Sequence, residues 1–378
     1  MAKQVLKTYQ DCKDFVRGSC FFGVGGGGDP VTGLRMLEDD LKAGQELAWI
    51  DIGDLSDEEM TACAWGMGSI APRDPQETSQ RLAALGITAP RYDRNLAIAI
   101  QELERYSGAK IRLIIPMEPG GRNMPNPMSS GSRLGIPLAN GDYTGRAIPE
   151  INQIVPCIAG FKPWPATSVD PWGNVVIIRE SVNPPMAERI GKHLAVAAFG
   201  SVGMAGFLIP VREARKYLVS GTVTRSLRVG RAIRQAREAG RDPVEAAREA
   251  SEAWVLFRGK IIAHDWEDRD GYMFGTNLIE GEGPFTNHQM RIWFKNENHV
   301  TWIDEKPYVT SPDLIAMIHA ESGEPITNTI AAIGMKISAL GMKAPDVLRT
   351  PEALSVLSPR SFGYSIPYTP IERVIITS

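Results

Sequence analysis

The sequence has no apolar run of the roughly 20 residues needed to span a membrane. Its longest apolar stretch, around Leu194 to Pro210, is broken by glycine, serine and proline. A secretory leader is not expected in the first residues, where charges stand at Lys7, Asp11, Lys13 and Asp14 with no apolar core before them. A cytoplasmic protein with no membrane partner is the expectation. Cysteine is scarce: four residues, at 12, 20, 63 and 157, with no C-x-x-C pair. A chain of 378 residues buries a core without covalent staples, so these thiols are expected to be reduced. The five histidines stand at 193, 264, 288, 299 and 319, none within four residues of another. A zinc site on one local motif is therefore unsupported, and a site gathered from distant residues stays open. No H-E-x-x-H, no G-x-S-x-G elbow and no Walker Gly-Lys-Ser/Thr occurs. Basic excess is missing too: 41 Lys and Arg face 44 Asp and Glu, for a formal net charge of -3. A dedicated nucleic-acid binder needs a basic footprint, so no nucleic-acid partner is expected.

The chain is rich in glycine and proline, 37 and 27 residues, gathered at the ends of apolar runs. That is the pattern of many shaped loops on a scaffold, as in an enzyme. Periodicity predicts a short helix from 9 to a stop at Gly18 and another over 31–44, where Leu34, Leu37 and Leu41 recur, with Asp29 as N-cap and Pro30 as first residue. Strands at Leu47–Ile52, Cys63–Met67 and Ile111–Pro116 alternate with helices at Glu77–Leu85 and Leu96–Tyr106. This rhythm predicts an α/β fold with some parallel sheet. The expected architecture has two domains, an α/β N-terminal domain and a smaller β-rich one in the C-terminal half. The main domain covers 1–257, with a helical segment at 185–257. The β-rich domain covers 258–305, and 306–378 packs back on the main domain.

Three segments could carry chemistry. The run Gly25-Gly26-Gly27-Gly28 before Asp29 presents bare amides at a helix start, where an anion or carbonyl oxygen can be cradled. A tight turn packing backbone on backbone is the alternative, and Asp29 either caps its helix or touches ligand. Glu118, with Gly120, Gly121 and Asn123, lies just past the strand Ile111–Pro116, where open α/β sheets bind ligands. Glu118 reads as a general base, a metal ligand or a surface residue. Asp142, Arg146 and Glu150 place two acids and a guanidinium fork within nine residues. They read as an acid/base or metal-binding set, or as a loop tied by a salt bridge. The turn Asp170-Pro171-Trp172-Gly173-Asn174 reads as ordinary turn chemistry. The three glycine-bearing segments are expected to converge on one polar pocket for a small-molecule substrate.

These segments, with Arg360-Ser361-Phe362-Gly363-Tyr364, resemble the S-methyl-thiohydantoin desulfurase-like family over nearly the whole chain, from about Leu6 to Glu372. The match falls on Gly25 to Gly28, Asp29, Glu118, Asn123, Asp142, Arg146 and Glu150. One departure is the placement of Pro72, two residues later than the commoner form after Met67-Gly68-Ser69 because Ile70-Ala71 intervene. The resemblance implies an N-terminal and a smaller C-terminal domain. It also implies hydrolysis of an S-alkylated thiohydantoin with thiol release, a divalent metal such as zinc, and company with hydantoinase or oxoprolinase-type enzymes. Its chemistry would be metal-assisted addition of water to a C=N carbon, with Glu118, Asp142 and Glu150 as metal ligands or base. Arg146 and the glycine amides would hold developing charge. Two other classes stay open: a hydrolase or lyase of another cyclic amide, and a non-catalytic partner subunit of a hydantoinase-like enzyme. A homo-oligomer is expected from the frequency of closed assemblies among such enzymes.

Overall fold

The computed structural model describes residues 3–377, and in it two eight-stranded sheets carry the chain. The first sheet has a parallel centre. Leu47–Ile50, Leu138–Ala139, Ile111–Pro116 and Met60–Gly68 run side by side. Antiparallel strands flank them: Gln4–Leu6 at one edge, and Ser201–Pro210, Ala166–Val169 and Val175–Ile178 toward the other. Side chains of Met60–Gly68 alternate between two cores, as a buried strand with both faces covered requires. Ala62 and Ala64 join Leu96, Ile100 and Leu103 of the helix Asn95–Ser107, whereas Cys63, Trp65 and Met67 face Ala195 and Ala198. The parallel strands thus end together, with Gly66–Ser69 and Met117–Glu118 at their carboxyl ends.

The second sheet is entirely antiparallel and spans Trp254 to Met342. Its long hairpin pairs Trp254–Arg269 with Tyr272–Gly281, so Trp266 to Asp270 forms the end of that hairpin. Strand Leu314–His319 alternates as well: Ile315 and Met317 enter this sheet's own core, and Leu314, Ala316 and Ile318 enter the core shared with the first sheet. The expected boundary at 305 falls inside the sheet. Lys306–Thr310, Leu314–His319, Pro325–Ile326 and Lys336–Met342 are all strands of it, because their apolar residues complete the same face. Beyond Met342 the chain folds over this sheet, and buried Asp313 takes Arg349, Tyr368 and the Ile371 amide.

Two other sequence expectations change. The first helix runs Tyr9–Phe22 through Gly18, because that glycine lets the helix Thr222–Glu238 approach. A Cβ on Gly18 would lie 1.7 Å from the Ser226 carbonyl oxygen, and one on Gly230 1.8 Å from that of Asp14. The expected helical segment 185–257 contains the strand Ser201–Pro210 of the first sheet. Its glycines, which broke the apolar run, admit neighbours instead: a Cβ on Gly206 would meet the Pro163 carbonyl oxygen at 2.3 Å. The glycine at 230 thus sets the distance between two helices. Gly230→Ala is expected to lower stability by about 1–3 kcal/mol, as overpacking does. Urea denaturation checks this, and an unchanged midpoint would contradict the close crossing.

Candidate functional site

A cavity of about 100 Å³ opens at the carboxyl ends of the parallel strands, where the first sheet meets the second. Gly27, Gly28, Glu118, Asn123 and Glu150 line it, together with Arg122, Glu188, Lys192 and Glu297. The three glycine-bearing segments therefore do reach one space. Each contributes differently from the sequence expectation.

The glycine run is first a packing device. Gly25 and Gly26 lie under the second sheet, and a Cβ on Gly26 would stand 2.0 Å from Glu297 Oε1. Gly27 packs on Gly120, with a Cβ at 2.5 Å from its Cα, and its carbonyl accepts the Arg122 and Asn123 amides at 3.1 and 3.2 Å. Only Gly27 and Gly28 face the cavity. Among the described residues the Gly28 N–H donates to no protein acceptor. Asp29 is exposed and caps its helix, accepting from the Val31 and Thr32 amides at 3.1 and 2.9 Å. It lies outside this cavity, lining a separate pocket beside it.

Glu118 is buried, and both its oxygens accept: Oε1 from Asn123 Nδ2 at 2.5 Å, and Oε2 from the Ile148 amide at 2.6 Å. Those bonds favour the carboxylate. Burial, and then the charge of Glu297, oppose it more strongly and hold its pKa well above the ordinary range. Glu297, also buried, accepts the Gly27 amide at 3.3 Å through Oε1, while its Oε2 has no hydrogen-bond partner among the described residues. Burial raises it from 4.5 to about 7 against the pull of Arg146 and Lys192. Two neighbouring carboxyl groups in a water-poor site resist double ionisation, so the pair tends to keep one proton.

Asp142 and Arg146 do not line the cavity. Asp142 Oδ1 closes its own turn, accepting the Thr144 and Gly145 amides at 2.7 and 2.6 Å. Burial raises its pKa to about 6. Arg146 spends its fork on backbone carbonyls: Ala147 at 2.9 Å, Pro312 at 2.9 Å, Asp313 at 3.0 Å and Asn298 at 3.1 Å. Neither faces this cavity, because the loop that carries them is held inside the protein by these bonds. Glu150 does line the cavity, and it pairs with Lys295. The Asp170 turn is as the sequence suggested, with Oδ1 accepting from Trp172, Gly173 and Asn174.

The residues that sequence reading missed are Arg122, Glu188, Lys192 and Glu297. Glu188 and Lys192 stand four apart on the inward face of the helix Pro184–Ala197. Glu297 belongs to the polar run Lys295-Asn296-Glu297-Asn298-His299, set between Phe294 and Val300. A half-exposed strand is polar at every second position, so five polar residues in succession at a strand junction were the available signal. Arg122 is half-buried, and its guanidinium has no hydrogen bond or ion pair among the described residues.

The implied zinc does not fit these donors. No three His, Cys, Asp or Glu side chains gather in metal-binding geometry among the described residues, and neither histidine nor cysteine lines the cavity. His299 is buried beside Phe362, with ring centroids 4.2 Å apart, and burial keeps it neutral.

Family models for the S-Me-THD-like N-terminal domain and C-terminal domain match residues 10–180 and 182–371. The chain belongs to the S-Me-THD-like family. The division at 181 cuts through the first sheet, since the strand Ser201–Pro210 lies beyond it. A crystal structure of a protein from Chromobacterium violaceum is similar to this family member at 19% identity and TM-score 0.77, over 98% of this chain and 100% of that one. At that identity the likeness is one of fold. No curated protein matches the chain. No helix among the described residues is long and apolar enough to cross a membrane.

Two outcomes follow from the site's electrostatics. A carboxyl whose pKa is raised by folding keeps its proton in the native state after the unfolded chain has lost it, so stability falls as pH rises between the two values. For Glu297 that window runs from 4.5 to about 7. Glu297→Gln is expected to flatten the decline of melting temperature over this range, and an unchanged slope would contradict the raised value. Arg146→Lys should cost about 2–4 kcal/mol of stability, since a single ammonium cannot serve these carbonyls from a buried position. Chemical denaturation reads the loss.

Proposed function

We propose that this chain hydrolyses a small S-alkylated cyclic ureide of the thiohydantoin type, adding water at the C=N carbon and releasing a thiol. The observation that carries the reading is the buried Glu118–Glu297 pair, facing a small cavity beside the bare backbone of Gly27 and Gly28. The family supplies the substrate class.

The chemistry needs a base for water, donors for developing charge, and exclusion of bulk solvent. A carboxyl pair with one proton offers base and acid together. Its ionised member takes a proton from water as the water oxygen bonds to the ring carbon. Its protonated member gives one to the ring nitrogen. Charge on the ring's polar edge meets the Gly28 N–H and the uncommitted guanidinium of Arg122, which take the part the sequence assigned to Arg146. Collapse of the tetrahedral centre makes a carbonyl and breaks the carbon–sulfur bond. Ser69 and Ile70 form part of the wall, so the two-residue departure before Pro72 bears on which substituent is accepted.

Thiol release from an S-methyl-thiohydantoin, followed with a thiol-reactive chromophore, tests the reading. Glu118→Gln and Glu297→Gln are each expected to lower kcat by about 10²–10⁴-fold with the fold retained, the loss typical of a removed acid or base. Undiminished turnover by Glu118→Gln would overturn it. Hydrolysis of the unsubstituted cyclic amide without thiol release would favour another cyclic-amide hydrolase. Absence of all turnover together with stable capture of a hydantoinase-type enzyme would favour the partner-subunit reading.

A further inference from the structure

Resting on that hydrolytic reading, we propose that Lys192 is a catalytic residue, the acid that protonates the departing sulfur. Lys192 lines the cavity that holds Glu118 and Glu297, its ammonium bonded to the carbonyl of another lining residue, Gly68, yet the residue is only 6% exposed. Among the described residues it makes one hydrogen bond, to the Gly68 carbonyl at 3.0 Å. Glu188 Oε1 stands at 3.7 Å, an ion-pair distance too long for a hydrogen bond. An ammonium has three donors, so a buried one with a single bond leaves donors for a ligand. An unmet buried donor costs stability, and a cavity-facing one is expected where a ligand completes it.

The surroundings hold this ammonium in place. Its stem lies beside the hairpin turn, where a Cβ on Gly271 would meet Lys192 Cδ at 3.0 Å. Its Nζ sits 4.1 Å from the centroid of the Tyr272 ring, and Lys295 Nζ is equally close to that ring. Tyr272 donates its hydroxyl to Glu188 Oε1 at 2.9 Å, and the Ile151 amide donates to Oε2 at 3.1 Å. Glu188 and Tyr272 are thus positioning residues, acting on the reaction through Lys192. Burial lowers the Lys192 pKa from its ordinary value, with Glu188, Glu297 and Glu118 pulling it up and Lys295 pushing it down. A lysine so placed is a better proton donor to a thiolate than one in water.

The proton balance closes. Of the two protons of water, the first reaches the ring nitrogen through the carboxyl pair. On collapse the carbinol oxygen gives the second to the pair as the C=O bond forms. The electrons of the carbon–sulfur bond leave with sulfur, which takes a proton from Lys192. The neutral amine then recovers the proton held by the pair. No oxidant, reductant or further reactant is needed.

The test compares two leaving groups on the same ring, S-methyl and S-(4-nitrophenyl). The nitrothiophenolate is a weak base that departs without a proton, whereas methanethiolate is not. Lys192→Met is expected to lower kcat about 100-fold or more on the S-methyl substrate and less than about fivefold on the S-nitrophenyl one. Lys192→Arg keeps the charge but does not release a proton at neutral pH, so it should show the same split. It also serves if the methionine variant fails to fold around unpaired Glu188. Equal losses on the two substrates, or no loss on either, overturn the acid role and leave the hydrolytic reading standing. No turnover of either substrate by the wild-type protein overturns both.

Discussion

The contact between the glycine run and the second sheet is made by main chain and short polar side chains. Asn298 donates its amide to the Val24 carbonyl at 2.8 Å, and Asn328 donates to that of Gly25 at 2.7 Å. Asn328 also donates to the Asn296 carbonyl and to Asn298 Oδ1, at 2.9 and 3.0 Å, and Asn298 donates to the Ile315 carbonyl at 3.0 Å. These bonds are buried, where an unmet amide is costly, so they fix the register between the two halves more tightly than apolar packing alone does. A side chain on Gly25 would fill the space of Asn298 and Asn328, and one on Gly26 that of Glu297. Everything at the cavity depends on this seam, since Glu118 comes from the first sheet and Glu297 from the second.

The same seam concentrates groups that oppose stability. Glu118, Glu188, Lys192 and Glu297 are buried around one space, and desolvation is the largest influence on each. A structural ion network would pair its members closely, as Arg349 does with Asp313 and Glu372. Around the cavity, among the described residues, an oxygen of Glu297 and the guanidinium of Arg122 are left without protein partners, and the Lys192 ammonium makes a single hydrogen bond. Unpaired polarity of this kind is disfavoured in a core built for stability alone and suits a site completed by a ligand.

Much of the fold could be read from the sequence where periodicity was long and caps were clear. The strand Ile111–Pro116 has the expected bounds, and Asp29 with Pro30 opens the helix Pro30–Lys42. Glycine misled twice. At Gly18 and in Ser201–Pro210 it marks close approach of another element rather than a stop, and only the neighbour's position distinguishes the two. In the site, Glu118 and Asn123 were legible because a strand end preceded them. Asp142 and Arg146 have the residue types of a site, but Asp142 closes its own turn and Arg146 is taken up largely by carbonyls about 150 residues away that no sequence spacing reveals. Glu188, Lys192 and Glu297 were hidden for the opposite reason. Only the polar run around Glu297 hints at a site, and a helix and the second sheet bring the three to it from about 70 to 180 residues beyond Glu118.

The glycine at 26 and the carboxylate at 297 occupy one volume, 2.0 Å separating an added Cβ from Glu297 Oε1. In evolutionary terms the two positions form a single character. Any side chain at 26 displaces the carboxylate, and losing the carboxylate removes one reason for the bare backbone. Lineages that keep the pair should therefore vary at the wall formed by Ser69 and Ile70, where a change alters what fits without disturbing what holds the two halves together. Changes at that wall would alter the shape of the cavity, while positions 26 and 297 would change together.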